Sequence, residues 1–302
     1  MTEDRGASYR SVWRDLMQVS FRQGYVEAGG LRTRFVQAGR KGAPVVVMLH
    51  GTGGHWEAFC ANLGPLSEHF DCYALDMMGC GFTDKPDKPY EIPGYAAHVL
   101  GFMDAMGLRR ASFIGVSLGS WVAVRLALDQ PDRVEKLILM APPGLLPSPP
   151  DASAAMETRR ASASDPSWSN ISTIVRKLFH SQASMMDDLV AVRQQVYSLP
   201  GMERIMPRML TLFDPEIRAR NNLTEAEWRK VAAPTLVVAH VDSPDLYLTT
   251  ANAVARLLSN ATRAEMRETS HWSQFEKPEE FNRIAVDFLR GPAARAAISG
   301  GC

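Results

Sequence analysis

Short apolar runs recur along the first half of the chain. Residues 31–38, 45–49, 70–75, 111–114 and 134–140 are strand-length and rich in apolar side chains, the pattern of strands buried on both faces. Helix-length segments at 92–106 and 118–129 separate several of them, so the spacing predicts βαβ units and a mostly parallel sheet. The rhythm breaks at Ala141-Pro142-Pro143-Gly144 and again at Pro147-Ser148-Pro149-Pro150-Asp151, where proline lets neither element continue. Residues 145–231 then read as helical and strand-poor, with Met185, Met186, Met202, Met206 and Met209 among the apolar positions; methionines of this kind adapt to irregular ligands or simply fill a core. Strands resume at 234–239 and 263–268, and a last helix opens at Pro278 with Phe281, Ile284, Ala285, Phe288 and Leu289 on one face. The expectation is an α/β core formed by residues 21–144 and 232–290, with residues 145–231 inserted as a helical lid. Residues 1–20 are an extension, read as an arm across a neighbouring subunit or a frayed end, and the Ala/Gly-rich residues 291–302 form a loose tail.

Composition narrows the function. Of 302 residues, 33 are Lys or Arg and 33 Asp or Glu, so no net charge recommends nucleic acid or an anionic membrane, and a small-molecule substrate fits better. Cys60, Cys72, Cys80 and Cys302 form no CxxC pair and no cluster with histidine. No metal and no cofactor is therefore expected, and a reducing cytoplasm is the simplest location. The N-terminus develops no apolar signal core and the longest apolar runs are strand-sized, so neither a signal peptide nor a membrane span is expected.

Candidate chemistry begins at Gly115-Val116-Ser117-Leu118-Gly119. It follows an expected strand and precedes an expected helix, the setting of a nucleophile elbow, in which small neighbours leave room for Ser117 and the helix start favours developing negative charge. A second Gly-rich turn, His50-Gly51-Thr52-Gly53-Gly54, follows the 45–49 run. Acyl transfer needs two N–H groups aimed at an oxyanion, and Thr52 with Leu118 are the candidates. The turn lacks G-K-[ST] and G-x-G-x-x-G, so phosphate binding is the weaker reading. The general base is expected late in the chain, where His271 follows the 263–268 run; His240, ending the 234–239 run, competes by position.

His50-Gly51, Gly115-x-Ser117-x-Gly119 and His271, in this order around a helical insert, resemble the α/β-hydrolase superfamily over residues 24–289, as does Asp76-Met77-Met78-Gly79-Cys80-Gly81. The resemblance implies an eight-stranded, mostly parallel sheet flanked by helices. Within the superfamily, His271-Trp272-Ser273-Gln274-Phe275-Glu276, Glu280-Phe281-Asn282-Arg283 and the lid stretch Asp188-Leu189-Val190-Ala191-Val192-Arg193 are most similar to the meta-cleavage product hydrolases. Those enzymes break a C–C bond in 2-hydroxy-6-oxodienoates. The resemblance implies that Arg193 holds the substrate carboxylate, with Trp272, Gly51 and Gly53 also contacting substrate, and that the protein is a homodimer or higher homo-oligomer. An ordinary solvated or paired helix arginine is the alternative reading of Arg193.

Two departures stand out. Where the family has adjacent aspartates, this chain reads Val241-Asp242-Ser243-Pro244-Asp245, which aligns Ser243 with the catalytic acid. Asp242 is the preferred replacement, Asp245 the second candidate, and a dyad without an ionised acid the third. Alanine at position 58 stands near the place of a polar asparagine in the family. A carboxylesterase or lactonase, and a non-catalytic ligand-binding homologue, are the alternative functions.

Overall fold

The computed structural model describes residues 11–148, 152–242 and 244–291; residues 1–10, Ser243, Cys302 and most of the expected tail lie outside the described residues. Eight strands form one sheet: β1 (Phe21–Ala28), β2 (Leu31–Ala38), β3 (Val45–Leu49), β4 (Asp71–Leu75), β5 (Ala111–Val116), β6 (Val134–Met140), β7 (Thr235–His240) and β8 (Ala261–Met266). Their spatial order is β1-β2-β4-β3-β5-β6-β7-β8. β2 runs antiparallel to β1 and β4, and all other neighbours are parallel. Strands β4, β5 and β7 are buried along their whole length, as their continuous apolar runs require of a sheet covered on both faces.

β1 was not apparent in the sequence. Its burial alternates poorly and it carries Gly24, because it lies at the sheet edge and pairs only with β2 through the Gly29-Gly30 turn, where both residues have positive φ. β8 ends two residues before the expected boundary, because the Val241 N–H donates to Met266 O at 3.1 Å and the chain then leaves the sheet.

Flanking helices are α1 (Val12–Leu16), α2 (Cys60–Ser67), α3 (Ile92–Ala105) and α4 (Leu118–Asp129). Between β6 and β7 come α5 (Ala152–Ser164), α6 (Trp168–Arg176), α7 (Asp187–Tyr197), α8 (Met202–Met209), α9 (Pro215–Asn221) and α10 (Glu225–Lys230), which form the cap over the sheet's carboxyl edge. α8 buries Met202, Ile205, Met206 and Met209 at helical spacing and packs on α5. After β7 come α11 (Leu246–Leu257), α12 (Ser273–Glu276) and α13 (Pro278–Arg290). α13 buries Phe281, Ala285 and Leu289, four residues apart, with Asn282 between them. The extension is anchored to the cap: Ser11 Oγ and the Val12 N–H both donate to Asp188 Oδ2, at 2.5 and 2.9 Å. No helix among the described residues is long and apolar enough to cross a membrane.

The chain passes from β3 to β4 on one side and then crosses to β5 on the other. Open α/β sheets bind ligands at such a reversal, outside the carboxyl ends of the strands. Leu49, the last residue of β3, lies opposite Gly115 of β5, so the two Gly-rich turns emerge side by side there.

Candidate active site

Ser117 sits between β5 and α4 with φ 51° and ψ −117°, a conformation that costs a non-glycine residue about 1–3 kcal/mol. Its N–H donates to Met140 O at 2.9 Å. Ser120 Oγ lies 2.7 Å from Gly115 O and 2.9 Å from Met140 O, bracing the bend. The flanking glycines are sterically required. A Cβ on Gly115 would come within 2.4 Å of Ser120 N, and one on Gly119 within 2.0 Å of Leu49 O.

The turn after β3 closes through the Gly54 N–H to Gly51 O, 3.0 Å, with Gly53 at φ 66°. His50 holds this turn from below. Its Nδ1 lies 2.7 Å from Gly51 O and its Nε2 accepts the Met77 N–H at 3.0 Å. That pairing requires a neutral ring protonated on Nδ1, and burial accordingly lowers its pKa to about 3. Beneath it, buried Asp76 accepts the Trp56 and Phe82 N–H groups and pairs with Arg34. Arg34 also pairs with Glu57, which His55 contacts from the other side. Burial would raise the Glu57 pKa, but the contact with His55 and the Arg34 guanidinium hold it at about 2. This buried cluster fixes the Gly-rich turn after β3 against the 76–82 segment, a role that single-residue reading did not reveal.

A cavity of about 200 Å³ opens over Ser117 and is walled by Gly51, Thr52, Arg193, His271 and Trp272. A smaller one, about 40 Å³, meets it at Thr52 and Ser117 and includes Leu118. The Leu118 N–H, at the first position of α4, has no carbonyl behind it within the helix. Six of the expected residues are thus brought to one cavity and Leu118 to its annex. Gly53 is a correction: Gly54 rather than Gly53 lines the wall. The positive φ of Gly53 turns it toward the cap, where an added Cβ would meet the Tyr197 hydroxyl at 3.0 Å.

His271 is half-buried on the wall of the large cavity. Burial, followed by the neighbouring His240, lowers its pKa to about 4 against the opposing pull of Asp245. Its ring meets Tyr247 edge-on at 4.7 Å. The loop carrying it is clamped by Glu276, whose Oε2 accepts the Ser270 N–H at 2.7 Å while Oε1 accepts the His180 and Ser181 N–H groups of the cap at 2.8 and 3.1 Å. The positions of Tyr247 and Glu276 depend on long-range contacts and had no sequence signal as site residues.

Asp242, the preferred acid of the sequence reading, is committed elsewhere. Its Oδ2 accepts the Glu268 N–H at 2.9 Å and its Oδ1 lies 3.3 Å from Arg267 Nη1. The cause is the pairing of β7 with β8, which carries position 242 alongside the end of β8. Asp245 lines the large cavity instead. It caps α11, its Oδ1 accepting the Leu248 N–H at 2.8 Å and lying 3.1 Å from His240 Nε2. Burial raises its pKa, but the bond to His240, the Leu248 N–H and the nearby imidazoles give a net lowering. His240 is therefore occupied by Asp245.

Arg193, on α7, is 2 % exposed and its Nε has no hydrogen-bond partner. Its guanidinium carbon lies 5.9 Å from the Trp272 ring centroid, and among the described residues it forms no ion pair. Burial lowers its pKa, yet arginine remains charged. Arg159 and Lys177 line the same cavity, so three cations face it against Asp245. The burial of Arg193 on α7 removes its solvated-helix reading.

A pH effect on stability follows. His98 is buried like His50, its Nδ1 accepting the Met78 N–H at 3.1 Å, and burial lowers its pKa to about 4. His50, His98 and His271 thus stay neutral in the native state until about pH 3 to 4, whereas in the unfolded chain they take protons below about pH 6.5. In that window the unfolded state binds more protons, so stability falls as pH falls, by roughly 1.4 kcal/mol per histidine per pH unit. Asp76, raised by burial, acts in the opposite sense. The urea midpoint is expected to drop clearly between pH 7 and pH 5. A flat midpoint would contradict burial of the neutral rings.

The alpha/beta hydrolase family model matches residues 46–284. The 2-hydroxymuconate semialdehyde hydrolase of Pseudomonas putida is 28 % identical over 267 residues, covering 87 % of this chain and 92 % of its own. A 2-hydroxy-6-oxononadienedioate/2-hydroxy-6-oxononatrienedioate hydrolase of Paraburkholderia xenovorans is 28 % identical over 286 residues, covering 86 % of this chain and 91 % of its own. Among solved structures, the 2-hydroxy-6-oxo-6-phenylhexa-2,4-dienoate hydrolase of a Rhodococcus superposes with a TM-score of 0.79 at 22 % identity, covering 91 % of this chain and all of that one.

Proposed function

From a chain that belongs to the alpha/beta hydrolase family, we propose a serine hydrolase that cleaves the C–C bond of 2-hydroxy-6-oxodienoate ring-fission products. The observation that carries this reading is Arg193, a buried guanidinium with an unpartnered nitrogen on the wall of the cavity that holds Ser117 and His271. A planar carboxylate is the natural partner for such a fork. A buried cation without a counter-ion is costly, and this one gains its partner when substrate arrives.

In the proposed reaction Arg193 grips the carboxylate and the dienol ketonises. Neutral His271 then takes a proton from Ser117 or from a water, and the oxygen adds to the C6 carbonyl. The Thr52 and Leu118 N–H groups receive the oxyanion. The C5–C6 bond, whose C5 was protonated in the ketonisation, then breaks; its electron pair passes through the enone to the C2 oxygen, which takes the proton back from His271. On the serine route a water hydrolyses the acyl-Ser117, so that water is added across C5–C6 overall. Asp245 supports the imidazolium formed in the first step. Its placement on the cavity wall favours it over Asp242.

The test compares kcat/KM for 2-hydroxy-6-oxohepta-2,4-dienoate with that for p-nitrophenyl acetate, using Ser117→Ala as the blank. Strong Ser117-dependent preference for the dienoate is expected, and turnover of the ester alone would favour a carboxylesterase. Arg193→Met is expected to cost about 10²-fold on the dienoate, the loss typical of a buried charge partner, with much less effect on the uncharged ester. Because the substitution removes an unpaired buried charge, the melting temperature should hold or rise. Equal losses on both substrates would remove Arg193 from the carboxylate role.

A further inference from the structure

The small cavity beside Ser117 contains polar groups that the reaction above does not use. Its lining includes Trp121, Ser148 and Arg218. Trp121 is 2 % exposed and its Nε1 has no hydrogen-bond partner; the Ser148 Oγ is buried and equally unpartnered. Arg218, on α9, is 9 % exposed. Its Nε reaches Leu146 O at 3.4 Å, and among the described residues its two terminal nitrogens have no carboxylate or carbonyl partner. Its guanidinium carbon stands 5.2 Å from the Trp121 ring centroid, so indole N–H and guanidinium belong to one cluster.

Residues bearing an indole N–H, a guanidinium fork and a hydroxyl line this cavity, with no carboxylate among the lining residues. Buried donors left unmade are costly, and a site with surplus donors and a fixed positive charge is complementary to an anionic acceptor. Size constrains the ligand further. A cavity of about 40 Å³ holds about three water-sized groups, which suits a short chain ending in a carboxylate and excludes an aromatic ring. Arg193 lies in the other cavity, and both cavities include Ser117 and Thr52.

We propose that Trp121, Ser148 and Arg218 form a second carboxylate subsite, across Ser117 from Arg193, and that the preferred substrate is a ring-fission product with a short acyl tail ending in a carboxylate. This rests on the C–C hydrolase reading and narrows it. The dienoate carboxylate lies on Arg193, the scissile carbonyl on Ser117, and the acyl tail on Arg218. Hydrolysis then releases a short dicarboxylate from the Arg218 side.

The test measures kcat/KM for 2-hydroxy-6-oxononadienedioate and for its methyl-ketone counterpart 2-hydroxy-6-oxohepta-2,4-dienoate in the wild type, Arg218→Met, Arg218→Lys and Trp121→Phe. The wild type is expected to favour the dioate about tenfold or more, in keeping with a charge-assisted contact. Arg218→Met should cost the dioate at least about tenfold more than the methyl ketone. Arg218→Lys should restore part of the difference, and Trp121→Phe should lower the dioate severalfold. A wild-type preference for the methyl ketone, or a ratio unchanged in Arg218→Met, overturns the subsite.

A second measurement separates it from the reaction itself: succinate binding to Ser117→Ala by calorimetry, with and without Arg218→Met. If neither dienoate is turned over while succinate binds through Arg218, the subsite stands and the C–C reading falls. If both dienoates are hydrolysed and succinate binding ignores Arg218, the reaction stands and the subsite falls.

Discussion

Ser117→Gly is expected to lose about 10⁴-fold or more in kcat on a ring-fission dienoate and yet to unfold at higher urea than Ser117→Ala. The kinetic half follows from the absence of any other hydroxyl at the elbow. Ser120 is turned onto Gly115 O and Met140 O and braces the bend instead. What survives would come from the oxyanion donors and the bound geometry alone. The stability half follows from the backbone. At φ 51° and ψ −117° an alanine keeps its Cβ and therefore keeps strain of about 1–3 kcal/mol, which glycine releases. Glycine gives back roughly 0.5–1 kcal/mol through the greater freedom of the unfolded chain, leaving a net difference of about 1 kcal/mol in its favour. Kinetics and urea melts of the two variants check both halves. Residual activity within about 10²-fold of wild type would remove Ser117 from the chemistry. An alanine variant as stable as the glycine one would show that the bend stores little strain.

The features legible in the sequence were those determined by a few adjacent residues. Gly115 and Gly119 were readable because the steric requirement they satisfy lies within their own turn. The helix beginning at Leu118 and the one beginning at Pro278 were readable for a similar reason, since periodicity and proline at a helix start are local. β1 was not, because half an edge strand faces solvent and its identity comes from its partner β2. Long-range meetings were equally hidden. Arg218 reaches Trp121 from α9, nearly a hundred residues away in the chain, and no spacing rule links them. The buried Arg34, Glu57 and Asp76 cluster joins β2 to two separate turns. The family resemblance supplied Arg193, but its burial and missing partner came only from the packing of α7 within the cap.

The proposed acid partner of His271 shows how a small change in register decides chemistry. Asp245→Asn is expected to lower kcat by about 10³-fold, within the range seen when a histidine base loses its carboxylate partner, while Asp242→Asn changes it less than about threefold. Both residues follow β7, but the continuation of pairing to Met266 places Asp242 on the Glu268 N–H and beside exposed Arg267. Three residues later the chain turns into α11, and there Asp245 faces the cavity of His271. Its side chain is partly exposed, and its net pKa is lowered against partial desolvation through the His240 contact and the Leu248 N–H, so it is ionised at neutral pH. Among the described residues its Oδ2 makes no hydrogen bond, leaving that oxygen for the imidazolium. The asparagine variant isolates charge from structure, because asparagine caps a helix about as well as aspartate. Its melting temperature should therefore stay near the wild-type value while turnover collapses. Asp242→Asn loses an exposed ion pair of about 0–1 kcal/mol and retains an oxygen for the Glu268 N–H. The reverse outcome, a large loss at Asp242 with Asp245→Asn near wild type, would make Asp245 only the cap of α11. The loop after β7 would then have to rearrange in the working enzyme, breaking the Asp242 bond to Glu268, before His271 gained its partner.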